Sequence, residues 1–262
     1  MSEFKTELGE SIFRHKYASN QYETWAEKSR AIVSSVCGTA NNKLNRIMEI
    51  DDLEETYNII NNMEFMPGGR YIYYAGKPAM FFNNCYLHRA EEDTREEWAD
   101  LWKRIGSCLM TGGGIGVDVS KFRGSGKPLS RTGGVSSGPI PFLLATNEIG
   151  RNVMQGGSRR SAMYGSLNWQ HDDVHEFLRM KNWHDTVIQG AFNEDGTPFT
   201  LADAKRHDFN FPAPLDMMNI SLNYDDEWLK NPDHPVFIEN VRQAMKTGEP
   251  GFSFNFGDKQ NE

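Results

Sequence analysis

Three glycine-rich segments crowd the stretch from Thr111 to Ala162. They are Thr111-Gly112-Gly113-Gly114-Ile115-Gly116, Ser130-Arg131-Thr132-Gly133-Gly134-Val135-Ser136-Ser137-Gly138-Pro139 and Gln155-Gly156-Gly157-Ser158-Arg159-Arg160-Ser161-Ala162. Glycine weakens helix and strand interiors, so such a cluster marks places where the backbone must turn sharply or let a ligand come close. Between Lys121 and Arg160 the chain carries Lys121, Arg123, Lys127, Arg131, Arg151, Arg159 and Arg160 against one acid, Glu148, although its net charge is −8. Cations concentrated on such loops suit a phosphate-bearing ligand. Taken singly, each loop reads equally well as a surface turn with solvated arginines; the coincidence of three favours phosphate. A P-loop needs Lys and Ser/Thr directly after its second glycine, and a dinucleotide fingerprint needs an acidic residue beyond its βα unit; neither fits.

The three cysteines, Cys37, Cys85 and Cys108, are odd in number, widely spaced and free of any CxxC. They indicate neither a disulfide framework nor a zinc site, so each is a packing residue or a chemical one. His171 and His175 have the i, i+4 spacing that can present two ligands on one helix face, but the neighbouring Asp172-Asp173 reads better as a helix N-terminus, and no metal is expected.

These residues need elements to hold them. At 262 residues the chain is long enough for one large or two small domains. It has no apolar run of membrane-spanning length and no signal-like apolar segment near Met1, and its acidic balance argues against general DNA binding. A cytoplasmic protein with no DNA or membrane partner is expected. Apolar residues recur at helical spacing from Ser11 to Cys37 and from Asp51 to Met63, which predicts a helical N-terminal region over residues 1–65. Beyond it, strands are predicted at Tyr71–Tyr74, Phe81–Leu87, Ile115–Val119, Ala162–Leu167, Thr186–Ile188, Met218–Leu222 and Gly251–Phe256. Helices are predicted from Thr94 as N-cap to Leu109, from Pro141 to Val153, and over His171–Lys181, Asp225–Leu229 and Val236–Lys246. This alternation over 66–262 is the sequence form of an α/β fold with parallel strands. A polar, Pro- and Gly-punctuated insertion interrupts it from Asn193 to Pro214.

The motifs, in their order, resemble the catalytic (large) subunit of ribonucleotide reductase, and within it the adenosylcobalamin-dependent class. Asn83-Asn84-Cys85-Tyr86 is similar to the family's strand bearing the first cysteine of its redox pair. Thr111 to Asp118 resembles its first glycine motif, Ser130 to Phe142 its first specificity loop, and Gln155 to Ala162 its second. His171 to Leu178 and Gly248-Glu249-Pro250-Gly251-Phe252 also match in order, and the likeness extends from about Lys16 to Phe256.

The resemblance implies the first half of a ten-stranded α/β barrel and an oxidoreductase converting ribonucleoside di- or triphosphates to deoxyribonucleotides by thiyl-radical chemistry. It implies Cys85 as a redox thiol, with Asn84, Gly113, Gly114 and Gly116 beside the substrate. Asp93, Arg131 and the loop Gln155, Gly156, Gly157, Ser158, Arg159 and Arg160 would read an effector dNTP. Asp93 lies one residue further from Cys85 than the family pattern has it. The implied cofactor is adenosylcobalamin, its site mostly on a complementary C-terminal half that also brings the radical cysteine and the second redox cysteine. A thioredoxin- or glutaredoxin-like protein would be the reductant. Alone, such a half is expected to be inactive. Two other readings compete: a non-catalytic dNTP-binding module that kept the effector loops, and another glycyl- or thiyl-radical barrel enzyme, which would not need the basic loops.

Overall fold

The structure, a computed structural model, describes residues 4–19, 21–44, 50–78, 81–153 and 161–257, with 38–44 described by backbone alone. The chain divides into two compact units, 1–84 and 85–262.

The first unit is helical. Helix α1 (Glu7–Ile12) runs into a π-helical turn (Phe13–Tyr17), followed by α2 (Trp25–Leu44), α3 (Ile50–Asn61) and α4 (Gly69–Tyr74). The periodicity from Ser11 to Cys37 is therefore broken before α2. The break carries a sequence signal, Thr24-Trp25-Ala26-Glu27: Thr24 Oγ1 accepts from Glu27 N, and Glu27 Oε2 accepts from the Thr24 amide, the reciprocal bonds that start a helix. Phe13, Trp25, Ile32, Ile60, Ile72 and Ala75 form the unit's core. The predicted strand Tyr71–Tyr74 is helix α4 instead. Coiling puts Ile72 and Ala75 on one face, toward that core, and Tyr71 and Tyr74 on another, against Phe82 and Phe81. An aromatic run has strand propensity, but burial of alternate helical faces outweighs it here.

The second unit is built on a five-stranded parallel sheet. In chain order come β1 (Cys85–Arg89), α5 (Arg95–Met110), β2 (Gly114–Asp118), α6 (Pro139–Asn152), β3 (Met163–Asn168) and α7 (Val174–Arg179). Then follow β4 (Val187–Phe192), β5 (Pro198–Thr200), α8 (Leu201–His207), β6 (Met218–Tyr224), α9 (Asp226–Leu229), α10 (Pro235–Thr247) and β7 (Gly251–Phe254). The sheet order is β1-β2-β3-β6-β7, every pair parallel, with β1 and β7 at its edges. The α/β class expected from the alternation is the observed one. The segment 193–214 carries structure of its own: β5 pairs antiparallel with β4, and α8 opens on a capping box between Thr200 and Asp203. The helix expected over His171–Lys181 is confined to α7, because 171–173 form a turn with other partners.

The two sheet faces differ in chemistry. One presents Ile115, Val117, Met163, Leu167, Met218, Ile220, Leu222 and Tyr224, all buried in one cluster with Leu101, Ile105 and Leu109 of α5, Phe142 and Leu143 of α6 and Phe177 of α7. Each such side chain removed from water contributes about 1.5–3 kcal/mol, so this face anchors the unit. The packing is close: a Cβ on Gly165 would come 2.7 Å from Met218 Sδ. The other face is made of small and polar residues.

Candidate active-site face and nucleotide cleft

Strand side chains alternate between faces, so the residues opposite the core can be read from the register. Cys85, Leu87 and Arg89 of β1 stand beside Gly114, Gly116 and Asp118 of β2. Gly116 and Asp118 pair in turn with Tyr164 and Ser166 of β3, which pair with Asn219 and Ser221 of β6. Parallel strands buried on both faces are nearly continuous apolar runs. Here, Leu87 apart, the positions on this face are polar, cysteine or glycine, the composition of a face that meets a polar ligand.

Cys85 opens β1 and is exposed, whereas Cys37 and Cys108 are half-buried and burial pushes both of those thiols up from the ordinary range. Cys37 packs against the helical unit's core, and Cys108 packs from α5 onto the apolar side of the sheet, away from the Cys85 face. Gly114 lies directly opposite Cys85: a Cβ there would sit 3.4 Å from Sγ and 3.3 Å from the Ala162 carbonyl oxygen. Gly116 would bring a Cβ to 3.1 Å from Leu87 Cδ1, on the same face. Gly113 differs, because its Cβ would strike the Tyr86 ring at 2.6 Å, so its lack of a side chain serves packing. Asn84 precedes Cys85, is exposed, and is the last residue of the helical unit.

At the carboxyl end of the strands the polar residues join. Asp118 accepts from the Ser120 amide and hydroxyl, Asn223 Nδ2 donates to Asp118 at 3.3 Å and to Ser166 Oγ at 3.1 Å, and Ser120 Oγ accepts from Asn168 N. Beside them lies an open cleft lined by Arg89, Glu91, Asp118, Ser120, Lys121 and Asn168. None of these was singled out from the sequence except Lys121, as one cation among seven. The signal was there as alternation: Gly114, Gly116, Asp118 and Tyr164, Ser166, Asn168 and Asn219, Ser221, Asn223 each repeat with period two.

A second, shallow cleft opens at the start of α5 and is lined by Asp93, Thr94, Glu96, Arg123, Ser130 and Arg131, together with Arg95, Leu129 and Thr132. It brings together Asp93 and Arg131. Thr94 caps α5 by accepting from Glu97 N, so the helix directs its positive end here. Residues 126–136 form a short hairpin, with Leu129 and Gly134 and then Lys127 and Ser136 hydrogen-bonded, and its tip carries Ser130, Arg131 and Thr132. Arg131 is 79 % exposed with Glu96 at 4.0 Å. Arg123 is held: its backbone and Nε donate to the Asp93 carboxylate and its Nη1 to Pro128 O at 2.6 Å. Asp93 thus acts on the cleft through Arg123, the cation that sequence reasoning counted but did not single out. Gln155, Gly156, Gly157, Ser158, Arg159 and Arg160 lie outside the described residues. His171 and His175 have separate partners, Phe122 O and Glu239, and do not converge.

Residues 83–224 match the family described as ribonucleotide reductase, barrel domain. This chain belongs to the ribonucleotide reductase family. The ribonucleoside-diphosphate reductase large chain of Schizosaccharomyces pombe is 30 % identical over 137 residues, which are 52 % of this chain and 17 % of that protein. The large subunit of vaccinia virus is 33 % identical over 134 residues, 51 % of this chain and 17 % of its own length. Among solved structures, the alpha subunit of a class Id ribonucleotide reductase from Actinobacillus ureae has the same fold, with a TM-score of 0.69 at 16 % identity over 97 % of this chain and 41 % of that one. The matches thus span about a sixth of each of these two reductase chains, and under half of the solved one. Among the described residues no helix is long and apolar enough to cross a membrane.

Proposed function

We propose that this chain supplies part of the catalytic barrel of a ribonucleotide reductase, with Cys85 as one of the two thiols that reduce the ribose. The observation that carries the reading is an exposed cysteine at the start of a parallel strand, in register with a bare glycine, on a polar sheet face. Replacing a 2′-OH by hydrogen needs two electrons. Two thiols give up their hydrogens and close to a disulfide; the ribose carbon gains one hydrogen and the hydroxyl leaves as water, so atoms and electrons balance. An external dithiol, such as a thioredoxin- or glutaredoxin-like protein, then reopens the disulfide. Cys108 packs on the apolar side of the sheet, and in this reading the second thiol and the radical-bearing cysteine belong to the remainder of the reductase, which completes the ten-stranded barrel. Gly114 and Gly116 leave room for the ribose beside Cys85.

The cleft at the start of α5 is the effector site in this reading. Arg123 and Arg131 neutralise the phosphates of a dNTP, Asp93 holds Arg123 in place, and the segment 155–160 carries the signal toward the substrate. Adenosylcobalamin is assigned to no residue of this chain: the two clefts of the sheet unit are open and lined by charged side chains, Asp93, Arg123 and Arg131 in one and Arg89, Asp118 and Lys121 in the other, which do not suit the apolar edge of a corrin. Localisation in the cytoplasm follows from the redox chemistry, which needs a reducing compartment.

The test is nucleotide reduction by the chain mixed with the complementary polypeptide, ribonucleoside di- or triphosphate and a dithiol. Cys85→Ser should abolish repeated turnover while leaving dNTP binding intact. Normal turnover by Cys85→Ser refutes the assignment, and dNTP binding with no reduction under any combination favours a regulatory module.

A further inference from the structure

The hairpin that carries Arg131 is seated on the turn between β3 and α7. At its base the Asp173 carboxylate, 9 % exposed, accepts the Ser125 amide with both oxygens at 3.0 Å. His171 makes the second tie: Nδ1 accepts from the Asp173 amide at 3.0 Å, which leaves Nε2–H to donate to Phe122 O at 2.7 Å. Shape reinforces the bonds. Gly138, where the hairpin returns into α6 at φ 76°, lies so close that a Cβ would overlap Asp173 Oδ2, and a Cβ on Gly124 would come 2.6 Å from Asp172 Cβ. Lys127 Nζ pairs with Asp172 at 3.2 Å. The sequence marked the 171–175 segment as a motif without a role.

We propose that Asp173 and His171 are positioning residues for nucleotide selection: they set the angle at which the segment 122–138 presents Arg123, and Arg131 at the hairpin tip, to the phosphates of a bound dNTP. The inference rests on the reading of that cleft as an effector site. A carboxylate spent on two contacts to one backbone amide, with no cation within ion-pair distance among the described residues, is a costly way to hold a surface loop. Packing a hydrophobic side chain would hold it as well; what the carboxylate adds is direction. The side-chain ties are local to 122–138, because the Asp173 carboxylate and the His171 Nε2 each bond a backbone group within that segment and none in the sheet. Nor does Asp173 line the cleft, so it acts through the hairpin.

The experiment titrates the full chain with magnesium dTTP and magnesium dGTP by calorimetry, alongside hydrogen exchange of the hairpin amides. Asp173→Ala is expected to weaken both nucleotides about tenfold and to change the ratio of their affinities, the loss of a charge-assisted bond being of that size. Exchange over 125–136 should rise while that of β2 stays the same. Asp173→Asn, which keeps one carbonyl oxygen for the Ser125 amide, should recover affinity to within about threefold. If Asp173→Ala does not fold, His171→Phe removes the neighbouring tie to Phe122 and should weaken binding about fivefold. Wild-type protein that binds neither nucleotide overturns the effector reading and this inference with it. Wild-type binding with unaltered affinity, ratio and hairpin protection in Asp173→Ala overturns the seat alone.

Discussion

Cys85 and Gly114 face each other across β1 and β2, and a Cβ on Gly114 would stand 3.4 Å from Sγ. In the native chain Cys85 should therefore be alkylated by iodoacetamide about tenfold faster than Cys37 or Cys108, whose half-buried thiols are also raised by burial. Gly114→Ala puts a methyl 3.4 Å from Sγ and should slow Cys85 several-fold while leaving the other two unchanged. Peptide mass spectrometry over a time course reads all three rates. Equal rates for the three cysteines would contradict the placement of Cys85.

Asp216 is the anchor of the segment 193–214. Its carboxylate, 1 % exposed, accepts from Arg151 of α6, from Lys205 of α8 at 2.8 Å and from Asn147 at 3.1 Å. Burial alone would raise its pKa; the bonds from Arg151, Lys205 and Asn147 outweigh that and hold it at about 2, below the ordinary 3.8. Asp216→Ala leaves two cations facing an empty site and should cost about 3–5 kcal/mol in urea unfolding.

The pH dependence of that loss has a definite sign. A lowered carboxyl contributes its stability in full above its unfolded value and loses it as pH falls through the folded one. The stability difference between wild type and Asp216→Asn should stay level from about pH 7 to 5 and shrink between about pH 4 and 2. A difference that grows on acidification would refute the ion-pair account.

Lys28 has the opposite signature in the helical unit. Its ammonium is 1 % exposed and donates to Ala75 O at 3.1 Å, and burial, with Lys77 nearby, lowers its pKa from 10.5 to about 8. The folded state is penalised wherever the amine is charged in both states, below about pH 8, and the penalty fades as pH rises toward the unfolded value. Lys28→Met should be more stable than wild type at neutral pH, by on the order of 1–3 kcal/mol after the lost hydrogen bond, and the gain should shrink between about pH 8 and 10.5. Urea midpoints for the pair at several pH values measure it.

Arg123 and Arg131 line one cleft but should respond differently. Arg131→Ala removes an exposed side chain and should weaken dNTP binding about three- to tenfold with the melting temperature unchanged. Arg123→Ala also removes the side-chain bonds to the Asp93 carboxylate and the Pro128 carbonyl, so it should weaken binding further and lower the melting temperature by several degrees, roughly 1–2 kcal/mol of lost bonds. Calorimetric titration and thermal melts separate the two effects.

The α/β class, the order of the strands and helices, and the cysteine and loops worth testing were legible in the sequence. Those properties are local: strands β2 and β6 and helices α5, α6 and α10 follow from hydrophobic periodicity and from caps such as Thr94, which act within a few residues. Only the tertiary structure decided what depends on distant partners. Tyr71–Tyr74 became helical because Phe81, Phe82 and the core around Trp25 reward two helical faces. Asp93 proved to hold Arg123, thirty residues on, and Asp173 to hold Ser125. The polar sheet face emerged only when the parallel register set Cys85 beside Gly114 and Asn223 beside Asp118 and Ser166, since the alternation within each strand does not say which strands share a neighbour. Pairings across such separations are set by the packing of the whole sheet, which no window of sequence contains.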